Sequence, residues 1–446
     1  MKRNLLFVLT TLVLFSLIIV ACAPASQTPT PVPVDPEKEE VVVEQPEVSP
    51  VNLTMWDIPE SEPYTEWWED HVAEWNKANP AIQVKMEVFE TEPYKTKLIG
   101  ALASNSTADI FYQFAGGDSY RVYKEGKALA LDNLMKVDQF TEVGLSKCRV
   151  DGKVVCMPLY IAPALWYYNK AMFAQAGVDP QTWANPLQPT WEEFLAACEA
   201  LKEAGIVPIA LGNADAWPGM MIYSAFANRI GGNDPLFNAI SGENGGAYTD
   251  ASFVRAGELV QELNSKGYFP EGYNGIGGEQ KYALFTQERG AMIFQGSWML
   301  GYIKSDAPDG FEFGFFNTPS FSEGNPNSQS DVMGGVDALW ISANSKNPQQ
   351  AGEFLNSFVD AEIAKSFASE TENISVVKGV METFSADSVL AQMAQILSSA
   401  PSLVPWWDVE MPAPVTEEMM NNMQALFGGE ITPQEFSNRL QAASVR

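Results

Sequence analysis

The stretch FTQERGAMIFQGSWMLG, residues 285–301, decides the reading of this chain. Ala291 to Phe294 is an apolar run of strand length, Gly296 removes the Cβ where the chain must turn, and Ser297 suits a helix N-cap. The segment therefore predicts a helix end, a buried strand and a helix start, with Trp298 at the corner. In α/β sheets, ligands gather beyond the carboxyl ends of strands, where loops vary over a rigid frame. Trp298 is then either an aromatic plate for a ligand or a core residue of the first helical turn.

Working outward, the same alternation recurs. Val51 to Trp56 and Ile82 to Val88 read as alternating strands flanking a helix from Tyr64 to Ala78, a βαβ unit. A helix over Tyr94 to Ser104 leads to a strand, Ala108 to Gln113, that ends in Gly116-Gly117-Asp118. Thr190-Trp191-Glu192-Glu193 has capping-box spacing. Val207 to Leu211 is expected as a buried strand with Asn213 to Trp217 as its loop, and Asp250 to Lys266 as a helix. Strands at Phe311–Phe316 and Val336–Ile341 precede a helix from Pro348 to Phe358. MPLYIAPALWYYNK, residues 157–170, is apolar, extended and stiffened by two prolines, and reads as a connection between lobes.

The chain has 446 residues, too many for one hydrophobic core, so two lobes are expected. A net charge of −29 argues against a nucleic-acid partner and against docking by charge on an anionic membrane. Residues 1–21 form a basic start, an apolar run and a small-residue end, as in a signal peptide. Ile19-Val20-Ala21-Cys22 resembles a bacterial lipobox. It implies lipidation of Cys22 and anchoring, without a spanning helix, at the outer face of the cell membrane. Residues 22–50 are Pro-punctuated and lack aromatics, which predicts a disordered tether. Cys148 and Cys156 bracket a hairpin turn at Asp151-Gly152; a disulfide is expected there, although strict pairing leaves the two diagonal rather than opposite. Cys198 reads as a buried free thiol.

In order, VNLTMW, PAIQVKMEV, ADIFYQF, DGKVVCMPLYIAPALWYYNKAMF, FTQERGAMIFQGSWML, MGGVDALWISANSKNPQQAGEFLNSF and ISVVKG resemble the extracellular solute-binding proteins of ABC importers. The group is the carbohydrate-binding one that includes maltose-binding protein. The resemblance implies a periplasmic-binding-protein-like α/β fold, two α/β lobes joined by a hinge of crossing strands. Lobe 1 would hold residues 51–161 and 332–372, and lobe 2 residues 163–330 and 374–446. It further implies a monomer that binds a mono- or oligosaccharide and delivers it to ABC permease subunits, with no catalytic residue, metal or cofactor.

A pyranose presents apolar faces and a hydroxyl rim, which suits tryptophan plates and short polar side chains. Of 12 tryptophans, Trp56, Trp217, Trp298, Trp406 and Trp407 fall at loop mouths, where stacking on a ligand competes with core packing. Matching to the family adds Asp57, Glu60, Gln113, Gly117, Asp118, Tyr160, Gly296, Ser297, Gly335 and Asp337 as candidate partners. Asp118 is equally a helix N-cap, Asp337 lies in a strand, and Tyr160, near the hinge, either reaches the ligand or packs against the core. No candidate position is Arg or Lys, which disfavours a phosphate ester such as glycerol phosphate. A polyamine is the closest rival ligand. A lipid-anchored glycoside hydrolase, using two cleft carboxylates, is the rival of another class. The single histidine, His71, reads as structural.

Overall fold

The computed structural model describes residues 50–445, apart from the side chains of Asp118 and Ser119. The signal segment, Cys22 and most of the tether lie outside the described residues. Among the described residues, no helix is long and apolar enough to cross a membrane.

Eleven strands form among the described residues, in chain order: β1 Val51–Asp57, β2 Ile82–Val88, β3 Ile110–Phe114, β4 Arg149–Val150, β5 Lys153–Val154, β6 Met157–Asn169, β7 Met292–Gln295, β8 Phe313–Phe316, β9 Val332–Ile341, β10 Ile374–Ser375 and β11 Leu403–Val404. β1 pairs in parallel with both β2 and β3, and β3 pairs antiparallel with β9. The first half of β6 then pairs with β9 and β10, while its second half turns to β7 and β8. β9 likewise changes partner along one edge, from β11 at Val332–Met333 to β3 at Asp337–Ile341, while β6 runs along its other edge from Met333 onward. Two long strands thus run through two groups of shorter ones, which is the curled sheet of a two-lobed binding-protein fold.

The stretch read as a connection is therefore a full strand, buried along nearly its whole length. Its prolines fall where a ladder tolerates them. Pro158 adjoins a register shift, and Pro163 faces Gly334 at the changeover of partners. A Cβ on Gly334 would lie 2.7 Å from the Ala162 carbonyl, so the crossing needs glycine there.

The helix Glu62–Ala78 buries Tyr64, Trp67, Trp68, His71 and Val72, a stripe at helical spacing. This stripe packs against Phe354 of the helix Pro348–Ser357, Phe358 just after it and Phe367 of the helix Ala361–Thr371. His71 stacks on Trp67 at 4.8 Å, and burial pushes its imidazole down to about 4. Thr190 caps the helix Trp191–Glu203 with the full capping box. Cys148 and Cys156 form a disulfide beside the β4–β5 hairpin, with Asp151 and Gly152 both at positive φ as a tight hairpin turn requires. Cys198 is a buried free thiol.

Two local expectations differ. Residues 207–211 form no ladder and make one bridge, Ile209 to Met292, with backbone bonds from Ala210 and Ala291 tying the segment to β7. Pro208 within the run limits the pairing. Ser297 does not cap the helix Met299–Asp306. The capping position falls to Trp298, without a side-chain bond, and the backbone closes the turn through Met299 N–H to the Gly296 carbonyl.

Candidate functional site

The carboxyl ends of β1, β2 and β3 open on one side of a cavity of about 310 Å³. Ile58 to Glu60, Glu90 to Pro93, Lys95 and Phe114 line it there, and Asp337 reaches it from β9. The facing wall comes from the segment after residue 211, from the helix Gln280–Thr286, from the corner after β7 and from the short helix Trp407–Glu410 with the residue before it. Placement beyond strand ends follows from the fold: backbone ladders end there, and side chains on loops are free to converge.

Three indoles meet on that wall. Trp298 sits edge-on to Trp217 at 6.1 Å and tilted to Trp406 at 5.8 Å. Trp217 opens the helix Trp217–Gly231 immediately after Ala216, whose φ of 62° turns the chain sharply. Asn213 Oδ1 fixes that corner by accepting from the Gly219 N–H at 3.0 Å. Trp406 lies over Gly335, where any Cβ would overlap the indole. The sequence missed the second aromatic element, Tyr282 stacked on Tyr302 at 3.9 Å. Tyr282 belongs to a helix whose apolar pattern reads as core.

The opposite wall is acidic. The Tyr112 hydroxyl donates at 3.2 Å to Glu60 Oε1 and makes a shorter bond to Asp337 Oδ1. Behind them Asp57 Oδ1 accepts from the Ile58 N–H at 2.9 Å and Asp57 Oδ2 from the Tyr64 hydroxyl at 3.1 Å. Burial holds the Asp57 carboxyl up to about 7 and the Asp337 carboxyl up to about 6. Burial, and then the charge of Asp337, push Glu60 well above the carboxylate range. The Tyr160 hydroxyl faces this group, yet, like Glu60 Oε2, it closes no well-formed hydrogen bond.

Two lysines outside the candidate positions, Lys95 and Lys281, also line the cavity. Lys281 Nζ is 3.0 Å from Asp215 Oδ2, and Lys95 Nζ is 3.0 Å from Glu92 Oε1. The signals for Lys281 and Asp215 were a charged residue just before Tyr282 and an acid in the loop already singled out.

Of the sequence candidates, Glu60, Trp217, Trp298, Asp337 and Trp406 share the cavity wall. Trp407 does not. It is buried against Tyr223 and Phe253, because its short helix turns that side chain away from its neighbour's. Trp56 points to the face of β1 opposite Asp57, as strand alternation demands, and packs on Phe89 under the Lys97 ammonium. Tyr160 is buried against Tyr64 and Phe367. The Gln113 carbonyl accepts from Trp340 Nε1 within the sheet, and the Gly117 N–H donates to Glu410 Oε2 at 3.2 Å. Gly296 and Ser297 stand behind Trp298, and a Cβ on Gly296 would meet its ring. Asp118 falls in the helix Gly117–Lys124, its side chain outside the described residues.

A cavity between two groups of strand ends, with indoles facing carboxylates, defines an α/β ligand-binding protein of the two-lobed class. The chain belongs to the bacterial extracellular solute-binding protein family, whose model matches residues 59–365. It is 25% identical over 305 residues to an uncharacterized ABC transporter extracellular-binding protein of Pyrococcus horikoshii, a match covering 67% of this chain and 64% of that one. It is 24% identical to the multiple sugar-binding protein of Streptococcus mutans, over 70% of this chain and 72% of that one. Among solved structures, a chitin oligosaccharide binding protein superposes with a TM-score of 0.80 at 25% identity, covering 89% of this chain and 98% of that one.

Proposed function

We propose that this protein captures a carbohydrate between its lobes and presents it to the permease of an ABC importer. It would act outside the cytoplasm as a monomer, held to the membrane by lipidated Cys22. One observation carries the reading: Trp217, Trp298 and Trp406 converge on a cavity whose opposite wall offers Glu60 and Asp337. Indole faces match the apolar faces of a pyranose, and carboxylates match its hydroxyl rim. The names of the relatives from Streptococcus mutans and of the chitin oligosaccharide binder support the ligand class. We place the lobes at residues 51–161 with 332–372 and 163–330 with 374–446, because β6, β9 and β10 all lie at those boundaries.

The test is a thermal-shift screen with mono-, di- and trisaccharides, spermidine and glycerol 3-phosphate. A ligand at a hundred times its dissociation constant adds about 2.7 kcal/mol to stability. We expect a sugar to register and Trp298→Ala to weaken it roughly tenfold to a hundredfold, or about 1.4 to 2.7 kcal/mol. A polyamine hit with silence from every sugar would overturn the ligand. Sugar consumption in the same samples would move the protein to the hydrolases.

A further inference from the structure

The cavity carries more negative charge than a neutral sugar requires. Seven acidic side chains line it against Lys95 and Lys281. Both lysines have acidic partners of their own: Lys281 is held by Asp215, and Lys95 lies between Glu92 at 3.0 Å and Asp408 at 4.0 Å. Neither is positioned to neutralise Glu60 or Asp337.

At that inner wall two carboxyl groups converge on one hydroxyl. The Tyr112 hydroxyl has a single hydrogen, while Glu60 Oε1 and Asp337 Oδ1 both lie within its reach. Glu60 Oε2 is buried and closes no hydrogen bond. A sugar hydroxyl would pair with one of these oxygens and leave Glu60 holding the proton that burial and Asp337 force on it. A cation would pair with the same oxygen and let Glu60 ionise, because attraction between opposite charges is strongest where water is thin. The aromatic wall is already suited to a cation, since the Lys281 ammonium lies 4.8 Å from the Trp217 ring centre and 4.7 Å from that of Tyr282.

We infer that the cargo is a saccharide bearing a free, protonated amine, its ammonium seated on Glu60 and its ring against Trp298. This rests on the carbohydrate reading above. It narrows that reading to amino sugars that are not acetylated.

Three disaccharides on one β-1,4-linked glucose scaffold separate the possibilities: chitobiose with free amines, N,N′-diacetylchitobiose and cellobiose. Titration calorimetry of the full-length protein with each, at a pH where the amine is protonated, should show the free amine binding at least tenfold tighter than cellobiose. Glu60→Gln should erase that difference, whatever it does to either sugar alone. Equal or tighter binding of cellobiose or of the acetylated sugar by the wild type would overturn this inference and leave carbohydrate binding standing. If none of the three binds, this inference falls, and the carbohydrate reading falls with it only when every sugar of the thermal-shift screen is silent as well. The wild-type comparison uses no substitution, so a poorly folded variant cannot hide a failure.

Discussion

Gly335 is the residue on which the aromatic wall depends. It lies in β9 directly beneath Trp406, and a methyl group there would displace the indole. Gly335→Ala should lower the urea midpoint by the equivalent of about 1 to 3 kcal/mol and weaken sugar binding in the same protein. Asp57 makes a second prediction. Burial keeps its carboxyl protonated up to about 7, so the folded chain retains a proton that the unfolded chain releases near the ordinary carboxylate value. The stabilisation is complete below that value and is lost as pH rises through about 7. Stability of the wild type measured at pH 5 and pH 8 should fall more than that of Asp57→Asn, by on the order of 2 kcal/mol. His71, pushed down to about 4, acts in the opposite sense as pH falls below its ordinary value, and the comparison with the variant cancels it. Trp298, Trp217 and Trp406 were legible because each follows a strand or turn signal. Trp407 was misread because adjacent residues on a short helix diverge, and a sequence does not say which of the two faces the cavity.

Among the elements, the hairpin from Cys148 to Cys156 was legible from Asp151-Gly152, and the offset of its cysteines from strict pairing is present in the structure. The closed loop is short, with a sequence separation of 8, so opening it should cost about 2 to 3 kcal/mol. Replacing both cysteines with serine and comparing urea midpoints measures this directly. The helices Glu62–Ala78 and Trp191–Glu203 were readable from an apolar stripe and a capping box. Residues 207–211 were not, because a short apolar run fits a ladder strand and a buried extended segment equally well. Tyr282 and Tyr302 escaped for a similar reason. Their stack is made between two helices separated by β7, and periodicity within one element does not report a partner in another.

For the whole molecule, the two-lobed plan was legible from the length of the chain and from its resemblance to a known family, but the hinge was only half so. MPLYIAPALWYYNK showed an extended crossing, whereas its pairing with four other strands is a property of the folded sheet. A ligand touching both walls stabilises the closed arrangement, so X-ray scattering should report a smaller radius of gyration with saturating sugar than without. An unchanged radius would place the ligand on one lobe only. The pairing of β3 with β9 also bears on how the chain is made. Residues 110–114 are flanked on one side by β1, yet their other neighbours, residues 337–341, are synthesised more than two hundred positions later. Until then β3 presents an open edge, and such distant pairing is slow to form. A nascent chain halted before Val332 should therefore be prone to aggregate, and the sheet can close only when most of the polypeptide has been released.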